Sequence, residues 1–206
     1  MQAHYDVTKL TFRPNGVGPA LPHIERALSA GAAAGQLLGV LVAEIGTLNQ
    51  VLILHALDDA GAGLASRDER QRRGDLFGVS DQLIDASSST FASFPFVPPM
   101  KTGRFGPVFE VREYGLKFGA LPALLAAWEG ALPARLEVSP MLTAAYAIDG
   151  AQPRMMHVWP YKDLNERARI RGECIAKGVW PPKGGADYIA TMRSSIYLPA
   201  PFSPLQ

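Results

Sequence analysis

The sequence is poor in cysteine and in net charge, and both shortages narrow the classes of protein to consider. Cys174 is the only cysteine among 206 residues, so no disulfide can form within the chain, which fits a reducing compartment. Lys and Arg number 20 and Asp and Glu number 19, which leaves a net charge of +1 with both signs mixed along the chain. Such a surface lacks the basic face that nucleic acids need and the basic stripe that acidic membranes attract.

Long apolar runs and targeting signals are also missing. The most apolar run, residues 28–43, is too short to span a bilayer and is interrupted by Gly31, Gly35 and Gln36. Residues 1–10 have neither the basic region nor the apolar region of a secretory signal. We therefore expect a cytoplasmic protein, with neither nucleic acid nor a membrane as a partner.

The common motifs of metal and nucleotide chemistry are absent as well. No Cys and His residues stand at metal-ligand spacing, and the sequence has no phosphate-binding loop, no Gly-x-Ser-x-Gly turn and no HExxH. We expect no metal and no cofactor. Catalysis by dispersed cavity residues stays open, because it needs none of these motifs.

The chain repeats itself at an offset of 104 residues. YDVTKLTFR (5–13) aligns with FEVREYGLK (109–117), Asp59 aligns with Asp163, and Arg67 aligns with Arg171. Near the two ends, PFVP (95–98) matches PFSP (201–204) at an offset of 106. A period near 100 is too long for a solenoid and indicates two copies of one domain. We place copy one at residues 1–98 and copy two at residues 106–206, with a linker rich in Pro and Gly between them.

Each copy shows the same order of periodic segments. A strand (4–12; 108–117) precedes an amphipathic helix, two strands follow (37–45 and 50–57; 141–148 and 154–161), and a second helix and a last strand (87–94; 188–198) complete the copy. Asp163 and Glu166 resemble a capping box for the second helix of copy two, and Ser66 and Glu69 give a similar signal in copy one. The order β-α-β-β-α-β is that of the ferredoxin-like unit.

The ferredoxin-like sheet has helices on one face only, so its other face needs a cover. We therefore predict an α+β protein in which the two copies pack sheet to sheet as a pseudo-dimeric α/β barrel. In MMHVWPY (155–161), His157, Trp159 and Tyr161 stand at steps of two and share one face of a strand. We expect this face to point into the interior between the copies.

Several segments, in their order, carry a resemblance to a known family. They are EIGTLNQVLILHALDD (44–59), FEVREYGLKFGALPALLAAWEGALPARLE (109–137), RMMHVWPYKDLNERARIRG (154–172) and PFSPL (201–205). Together they resemble the NIPSNAP family, which belongs to the dimeric α/β-barrel superfamily, over nearly the whole chain. Copy one departs from the pattern, since Ile53, His55 and Leu57 stand where copy two has His157, Trp159 and Tyr161.

The resemblance implies an architecture and no particular reaction. Relatives in the wider superfamily include cofactor-independent monooxygenases of polycyclic aromatic compounds, heme enzymes, small-molecule isomerases and simple binding proteins. A fold that supports so many activities decides none of them. Heme ligation by His55 or His157 ranks low, because only the residue type supports it.

The candidate catalytic residues are His157, His55, Arg112 and Tyr114. The two imidazoles are the best candidates for a general base, and the alternative is a hydrogen-bonded structural role for each. Arg112 and Tyr114 would hold a carbonyl or carboxylate and stabilise an oxyanion. The alternative there is structural, with Glu110 and Arg112 pairing with groups on neighbouring strands, because opposite charges on one strand face are costly to bury unpaired.

The candidate substrate-binding residues are Trp159, Tyr161 and Trp180. The first two would line a cavity or would only pack, and Trp180 in WPPKGG (180–185) would belong to a lid or pin its loop. We predict a NIPSNAP-like protein that binds a hydrophobic or aromatic compound in the cavity between the copies, with a cofactor-independent oxygenase or isomerase as the enzymatic form of this hypothesis. The alternative is a non-catalytic scaffold with a filled interior. Exposed outer strands would favour homodimers.

Overall fold

The computed structural model describes residues 2–206 as eight strands and four helices in two equivalent sets. The strands are β1 His4–Phe12, β2 Gln36–Ile45, β3 Gln50–Leu57, β4 Leu83–Ser93, β5 Val108–Leu116, β6 Thr143–Ala147, β7 Arg154–Tyr161 and β8 Ile189–Pro199. The helices are α1 Val17–Ser29, α2 Ala60–Arg73, α3 Leu121–Leu136 and α4 Leu164–Ala176. The predicted bounds of β3 and β7 are confirmed residue for residue.

The eight strands form one closed antiparallel barrel in the order β1-β3-β2-β8-β5-β7-β6-β4. Each copy contributes four adjacent strands, and the copies join where β2 pairs with β8 and where β4 pairs with β6. A rotation of half a turn about the barrel axis places each strand of copy one on the equivalent strand of copy two. The predicted pseudo-dimeric α/β barrel is therefore confirmed. The outer strands of each copy pair with the other copy, so they do not supply the exposed edges on which the homodimer prediction was based.

The barrel interior is an apolar core built from both copies. Tyr5, Leu52 and Phe91 of copy one meet Phe109 and Val158 of copy two, and all five are buried. Each pair of helices covers the outer face of its own half of the barrel and forms a separate core there. Strands buried on both faces bring roughly 25 cal/mol of stabilisation for each Å² of apolar surface removed from water.

The predicted orientation of the His157 face is wrong. Met156 and Val158 point into the barrel, whereas Trp159 and Tyr161 belong to the outer core that α3 and α4 cover. The imidazole of His157 packs against the indole of Trp128 on α3, with the ring centres 4.9 Å apart. The predicted alternation of β7 is correct, because His157, Trp159 and Tyr161 do share one face. That face packs against the helices and not against the barrel interior.

Helix capping follows the repeat. The Asp163 carboxylate accepts a hydrogen bond from the Glu166 amide at 2.7 Å, as predicted for the start of α4. In copy one the cap predicted at Ser66 is wrong, because the N-cap of α2 is Asp59, seven residues earlier, and Ser66 lies inside the helix. The Asp59 carboxylate accepts hydrogen bonds from the amides of Gly61 and Ala62. Asp59 is the repeat equivalent of Asp163, so both copies start this helix with the same residue.

The two ends of the barrel differ. At one end the linker runs beside the C-terminus, where the Phe105 amide donates to the Gln206 carbonyl at 2.6 Å, and Met100 and Leu205 join the interior core. The other end, here called the barrel mouth, opens into a polar cavity of about 620 Å³. Its charged and polar lining includes Lys9, Gln50, Asp85, Ser87, Glu113, Arg154, Arg193 and Tyr197. None of the helices in residues 2–206 is long and apolar enough to cross a membrane.

Candidate functional site

A small pocket lies between the outer face of the copy-two sheet and its helices, and we call it the sheet–helix pocket. Its volume is about 120 Å³. It is lined by Glu110, Arg112, Tyr114, Arg135, Trp159, Tyr161, Arg171, Cys174, Ile175, Trp180, Pro181 and Met192. Ile175 and Met192 are exposed, so they form the rim, while Glu110, Arg135, Trp159 and Cys174 are buried.

Strand pairing explains why these side chains converge. Arg112 of β5 lies opposite His157 of β7, and Glu110 lies opposite Trp159. Paired residues on neighbouring strands share a face of the sheet, so both sets point towards the helices. The structure therefore brings together all the copy-two residues that the sequence proposed: Arg112, Tyr114, Trp159, Tyr161 and Trp180 line the pocket, and His157 touches Tyr114 with ring centres 5.0 Å apart.

Glu110 is a fully buried carboxylate held by several donors. Its Oε1 accepts hydrogen bonds from the guanidinium groups of Arg112 and Arg167, at 2.7 and 2.6 Å, and from the Ser194 hydroxyl at 2.6 Å. Burial alone would raise the pKa of Glu110, but the hydrogen bonds from Arg167 and Ser194 and the charge of Arg112 outweigh it and lower this pKa to about 2. The carboxylate is thus ionised and fixes the positions of two arginines beside the pocket.

His157 is a neutral imidazole whose proton position is set by its neighbour. The indole Nε1–H of Trp159 donates to Nδ1 of His157, so the ring proton is on Nε2. Burial, and next the charge of Arg112, keep the pKa of His157 well below its ordinary value. The lone pair of Nδ1 is occupied and Nε2 is protonated, buried and without a partner within residues 2–206. This imidazole can therefore donate a hydrogen bond more readily than it can remove a proton.

Tyr114 presents a second donor. The Arg112 Nε–H donates to the Tyr114 oxygen at 2.5 Å, which leaves the phenol hydrogen free to point elsewhere. Burial raises the pKa of Tyr114, so the hydroxyl keeps its proton at neutral pH. A protonated phenol next to a guanidinium is suited to stabilise negative charge on a ligand oxygen.

The walls of the pocket are aromatic. Trp180 packs edge-to-face on Trp128 and on Trp159, with ring centres 4.7 and 5.8 Å apart, which pins its loop to copy two. The guanidinium of Arg135 lies 4.1 Å from the ring centre of Trp159, within the range of a cation–π contact. These three tryptophans are the only ones in the chain.

Seven lining residues were not proposed as site residues from the sequence: Glu110, Arg135, Arg171, Cys174, Ile175, Pro181 and Met192. Arg135 and Arg171 come from helices, where a charged residue usually indicates a solvated face. The repeat aligns Arg171 with Arg67, but the two arginines do not make equivalent ion pairs. Arg67 does bind Asp6, the equivalent of Glu110, but Glu110 is bound by Arg167, one turn before Arg171. The spacing of Arg167 and Arg171, four residues apart on α4, was the signal that could have placed both on one helix face.

The structure does not bring His55 to the sheet–helix pocket. His55 lies opposite Asp6 on the outer face of the copy-one sheet, and burial followed by the charge of Arg70 lowers its pKa to about 4. The equivalent pocket of copy one, here called the copy-one pocket, has a volume of about 470 Å³ and a polar lining that includes Thr8, Arg67, Arg70, Gln71, Ser80, Ser87 and Ser88. The residues that line it include no aromatic side chain.

Neither a metal nor a heme fits this geometry. Within residues 2–206 no three His, Cys, Asp or Glu side chains are grouped so that they could hold a metal ion. The sheet–helix pocket, at about 120 Å³, is too small for a porphyrin, and His157 uses Nδ1 to accept the Trp159 hydrogen bond.

Comparison with known proteins gives the family. The NIPSNAP family model matches residues 5–98 and again residues 109–204. The chain belongs to the NIPSNAP family. Two tandem NIPSNAP units thus correspond to the two halves of the barrel, and the resemblance seen in the sequence is confirmed.

Curated relatives share a modest part of the sequence. Protein NipSnap homolog from Dictyostelium discoideum is 27% identical over 150 residues, which cover 69% of this chain and 65% of that protein. Protein NipSnap homolog 2 from Homo sapiens is 28% identical over 134 residues, which cover 62% of this chain and 45% of that protein. The match therefore spans less than two thirds of the length of either relative.

Among solved structures, an anthrone oxidase-like protein has the same fold. Its TM-score is 0.66 with 12% sequence identity, and the superposition covers 99% of this chain and 94% of that one. At this level of identity the likeness shows the dimeric α/β-barrel architecture alone.

Proposed function

We propose that this NIPSNAP protein binds a small aromatic compound in the sheet–helix pocket of copy two. One observation carries the proposal: Trp159 and Trp180 line a single pocket where Arg112, Arg171 and Tyr114 also converge, and Trp128 packs on Trp180 beside it. Apolar walls with a few placed polar groups are the usual composition of a ligand site. The ligand site thus lies under the helices, and it replaces the inter-copy cavity expected from the sequence.

If the protein is an enzyme, the geometry favours stabilisation of negative charge. Arg112 and the Tyr114 hydroxyl would bind an oxygen on which charge develops. His157 is buried and packs on Tyr114 without lining the pocket, so the arrangement supports it as a neutral positioning residue in place of the general base proposed from the sequence. A cofactor-independent oxygenase or isomerase remains the form of catalysis that these groups would serve.

The scaffold alternative draws support from the apolar filling of the barrel interior. The sheet–helix pocket lies outside the barrel, so a filled interior is compatible with ligand binding as well. Tryptophan fluorescence distinguishes the two functions, because an added aromatic compound should change the environment of the tryptophans only if the protein binds it. Homodimer formation and a cytoplasmic location stay predictions alongside either function.

Intrinsic fluorescence tests the proposal directly, because two of the three tryptophans line this site and the third, Trp128, packs on Trp180. We expect saturable quenching or a spectral shift with members of a panel of aromatic compounds, and a retained ligand in native mass spectrometry of freshly purified protein. Trp180→Ala should weaken binding measured by calorimetry. Phe118→Ala removes an aromatic ring that is 90% exposed at the barrel mouth and should leave binding unchanged. A panel without any saturable response would favour the scaffold.

A further inference from the structure

We infer that the ligand of the sheet–helix pocket is a single-ring aromatic anion, such as an aromatic carboxylate or phenolate. The inference rests on the proposed function and adds two properties to it, size and charge. Each property follows from a different feature of the pocket. Neither is implied by the family, whose wider relatives include enzymes acting on polycyclic compounds.

The volume of the pocket sets the size of the ligand. The pocket measures about 120 Å³. An engineered apolar cavity of about 150 Å³ binds benzene in another protein, so this volume suits one six-membered ring with a small substituent. A second fused ring would exceed this volume, so it would either extend past the exposed rim at Ile175 and Met192 or displace Trp180, which is held by two aromatic contacts.

The charges around the pocket are unbalanced. Arg112, Arg135 and Arg171 line it, and Arg167 lies next to it, whereas Glu110 is the only carboxylate in the lining. Glu110 binds Arg112 and Arg167, and Arg135 donates to Ser139. Within residues 2–206, Arg171 has no carboxylate within 4.0 Å. Arg135 and Arg171 thus both lack a carboxylate partner within residues 2–206. Arg135 is already held by Ser139 and by the ring of Trp159, which leaves the Arg171 guanidinium to bind a ligand.

Arg171 lines the sheet–helix pocket together with Tyr114 and Arg112, whose polar groups would bind a ligand oxygen. His157 packs on Tyr114 with ring centres 5.0 Å apart. After burial, the charge of Arg171 also contributes to the pKa values of Tyr114, His157 and Tyr161 and lowers each of them. A half-buried cation loses hydration, and an anionic ligand group would compensate that loss. Arginine binds a carboxylate with two parallel hydrogen bonds, which also fixes the orientation of the ring.

The anion and the ring would occupy different parts of the pocket. The anionic group would meet Arg171 and the Tyr114 hydroxyl on the polar side. The ring would lie against Trp159 and Trp180, whose faces and edges provide apolar contact. Arg135 already covers one face of Trp159, so the ring is left the remaining aromatic surface.

Calorimetry with matched compounds tests both properties at constant ionic strength. Benzoate and benzamide have nearly the same shape and differ in charge, and 2-naphthoate has the same charge with a second ring. We expect benzoate to bind roughly tenfold more tightly than benzamide, because charge-assisted hydrogen bonds are about twice as strong as neutral ones. We expect 2-naphthoate to bind more weakly than benzoate. Equal affinities for benzoate and benzamide would contradict the inferred negative charge of the ligand. Tighter binding of 2-naphthoate than of benzoate would contradict its inferred single-ring size.

Variants assign the preference to one side chain. Arg171→Gln should abolish the preference for benzoate over benzamide, and Arg171→Lys should retain part of it. Arg169→Gln is the matched control, because Arg169 is an exposed arginine on the same helix that binds Glu173. Circular dichroism and the unfolding midpoint verify that each variant is folded. An unchanged preference in folded Arg171→Gln would contradict the assignment.

The same data separate this inference from the proposed function. If benzamide and benzoate both bind and perturb the tryptophans to the same extent, the pocket binds aromatic compounds and only the anion inference fails. If no aromatic compound in the panel binds, the proposed function fails and the anion inference fails with it.

Discussion

Lys9 of β1 and Glu113 of β5 occupy equivalent positions in the two copies and form an ion pair with each other across the barrel mouth. The offset of 104 residues that relates the copies relates these two residues as well. In a barrel made of two identical copies, a residue at this position would face itself, since a twofold interface is isologous. The duplicated chain has opposite charges at the two positions, which favours pairing of copy one with copy two.

Reversing one charge should destabilise the barrel. Glu113→Lys places a second ammonium opposite Lys9, and we expect the free energy of unfolding to fall by about 1–3 kcal/mol. The double variant Lys9→Glu with Glu113→Lys should recover most of the lost free energy of unfolding. Urea unfolding gives both values. Glu69→Lys, which breaks the exposed pair of Glu69 with Arg73, is the control and should cost about 0–1 kcal/mol. A double variant as unstable as Glu113→Lys alone would contradict the pairing.

Loss of the Glu110 carboxylate should be costly and pH-dependent. Glu110→Gln leaves Arg112 and Arg167 without their buried partner, and we expect a loss of about 3–5 kcal/mol at pH 7. The pKa of Glu110 is about 2 in the folded protein and 4.5 as the ordinary value, so the unfolded chain takes up the proton first as the pH falls. The stabilisation is complete above pH 4.5 and is lost as the pH falls towards 2.

Unfolding measured between pH 7 and pH 2 checks this sign. The difference in stability between the wild type and Glu110→Gln should narrow steadily below pH 4.5. Glu129→Gln, at an exposed position on α3, is the control and should show the pH dependence of the wild type. A difference that stays constant down to pH 2 would show that the charge of Glu110 is not what stabilises the fold.

His157 should remain neutral across the physiological range. Burial and the charge of Arg112 lower its pKa well below the ordinary value, and Trp159 holds its Nδ1 lone pair. Nitrogen-15 NMR should show a protonated Nε2 and no titration between pH 5 and pH 8, with His157→Gln used for assignment. Trp159→Phe, which removes the indole N–H, should shift the Nδ1 signal. A titration midpoint near 6.5 would return His157 to the role of general base.

Arg67 should contribute to the junction between the copies. It donates to Asp6 and Thr90 of copy one, at 3.2 and 2.9 Å, and to Asp149 of copy two at 2.5 Å. Arg67→Gln leaves two carboxylates without their shared guanidinium, and we expect a loss of about 1–3 kcal/mol. Arg72→Gln, at an exposed arginine on the same helix, is the control. Equal stabilities of the two variants would show that the contact with Asp149 adds nothing.

The repeat and the alternation of apolar residues were enough to predict the fold. The bounds of β3 and β7, the Asp163 cap and the pairing of the two copies follow from periods of two and 3.6 residues and from the offset of 104, whereas β4 begins four residues before its predicted start. The orientation of β7 could not follow from the same pattern. Met156 and Val158 are buried in the barrel while His157 and Trp159 are buried under helices, so alternation alone does not distinguish the inner face from the outer one.

The candidate site was predictable where strands supply it. Arg112, Tyr114, Trp159 and Tyr161 were proposed because neighbours two residues apart on a strand share a face. Arg135 and Arg171 were not, because their roles depend on how α3 and α4 lie over the sheet, which is a tertiary property. His55 was grouped with His157 by the repeat, yet each belongs to the helix layer of its own copy.

Because one polypeptide closes the whole barrel, the two equivalent pockets can differ in sequence. A homodimer would carry every substitution twice, once in each subunit. Here Trp159 and Tyr161 line a pocket of about 120 Å³ in one half, whereas the other half has a hydroxyl-lined pocket of about 470 Å³ that their equivalents His55 and Leu57 do not line. Substitutions in one pocket therefore leave the other pocket unchanged, so the two halves of one duplicated fold can differ in the ligands that they bind.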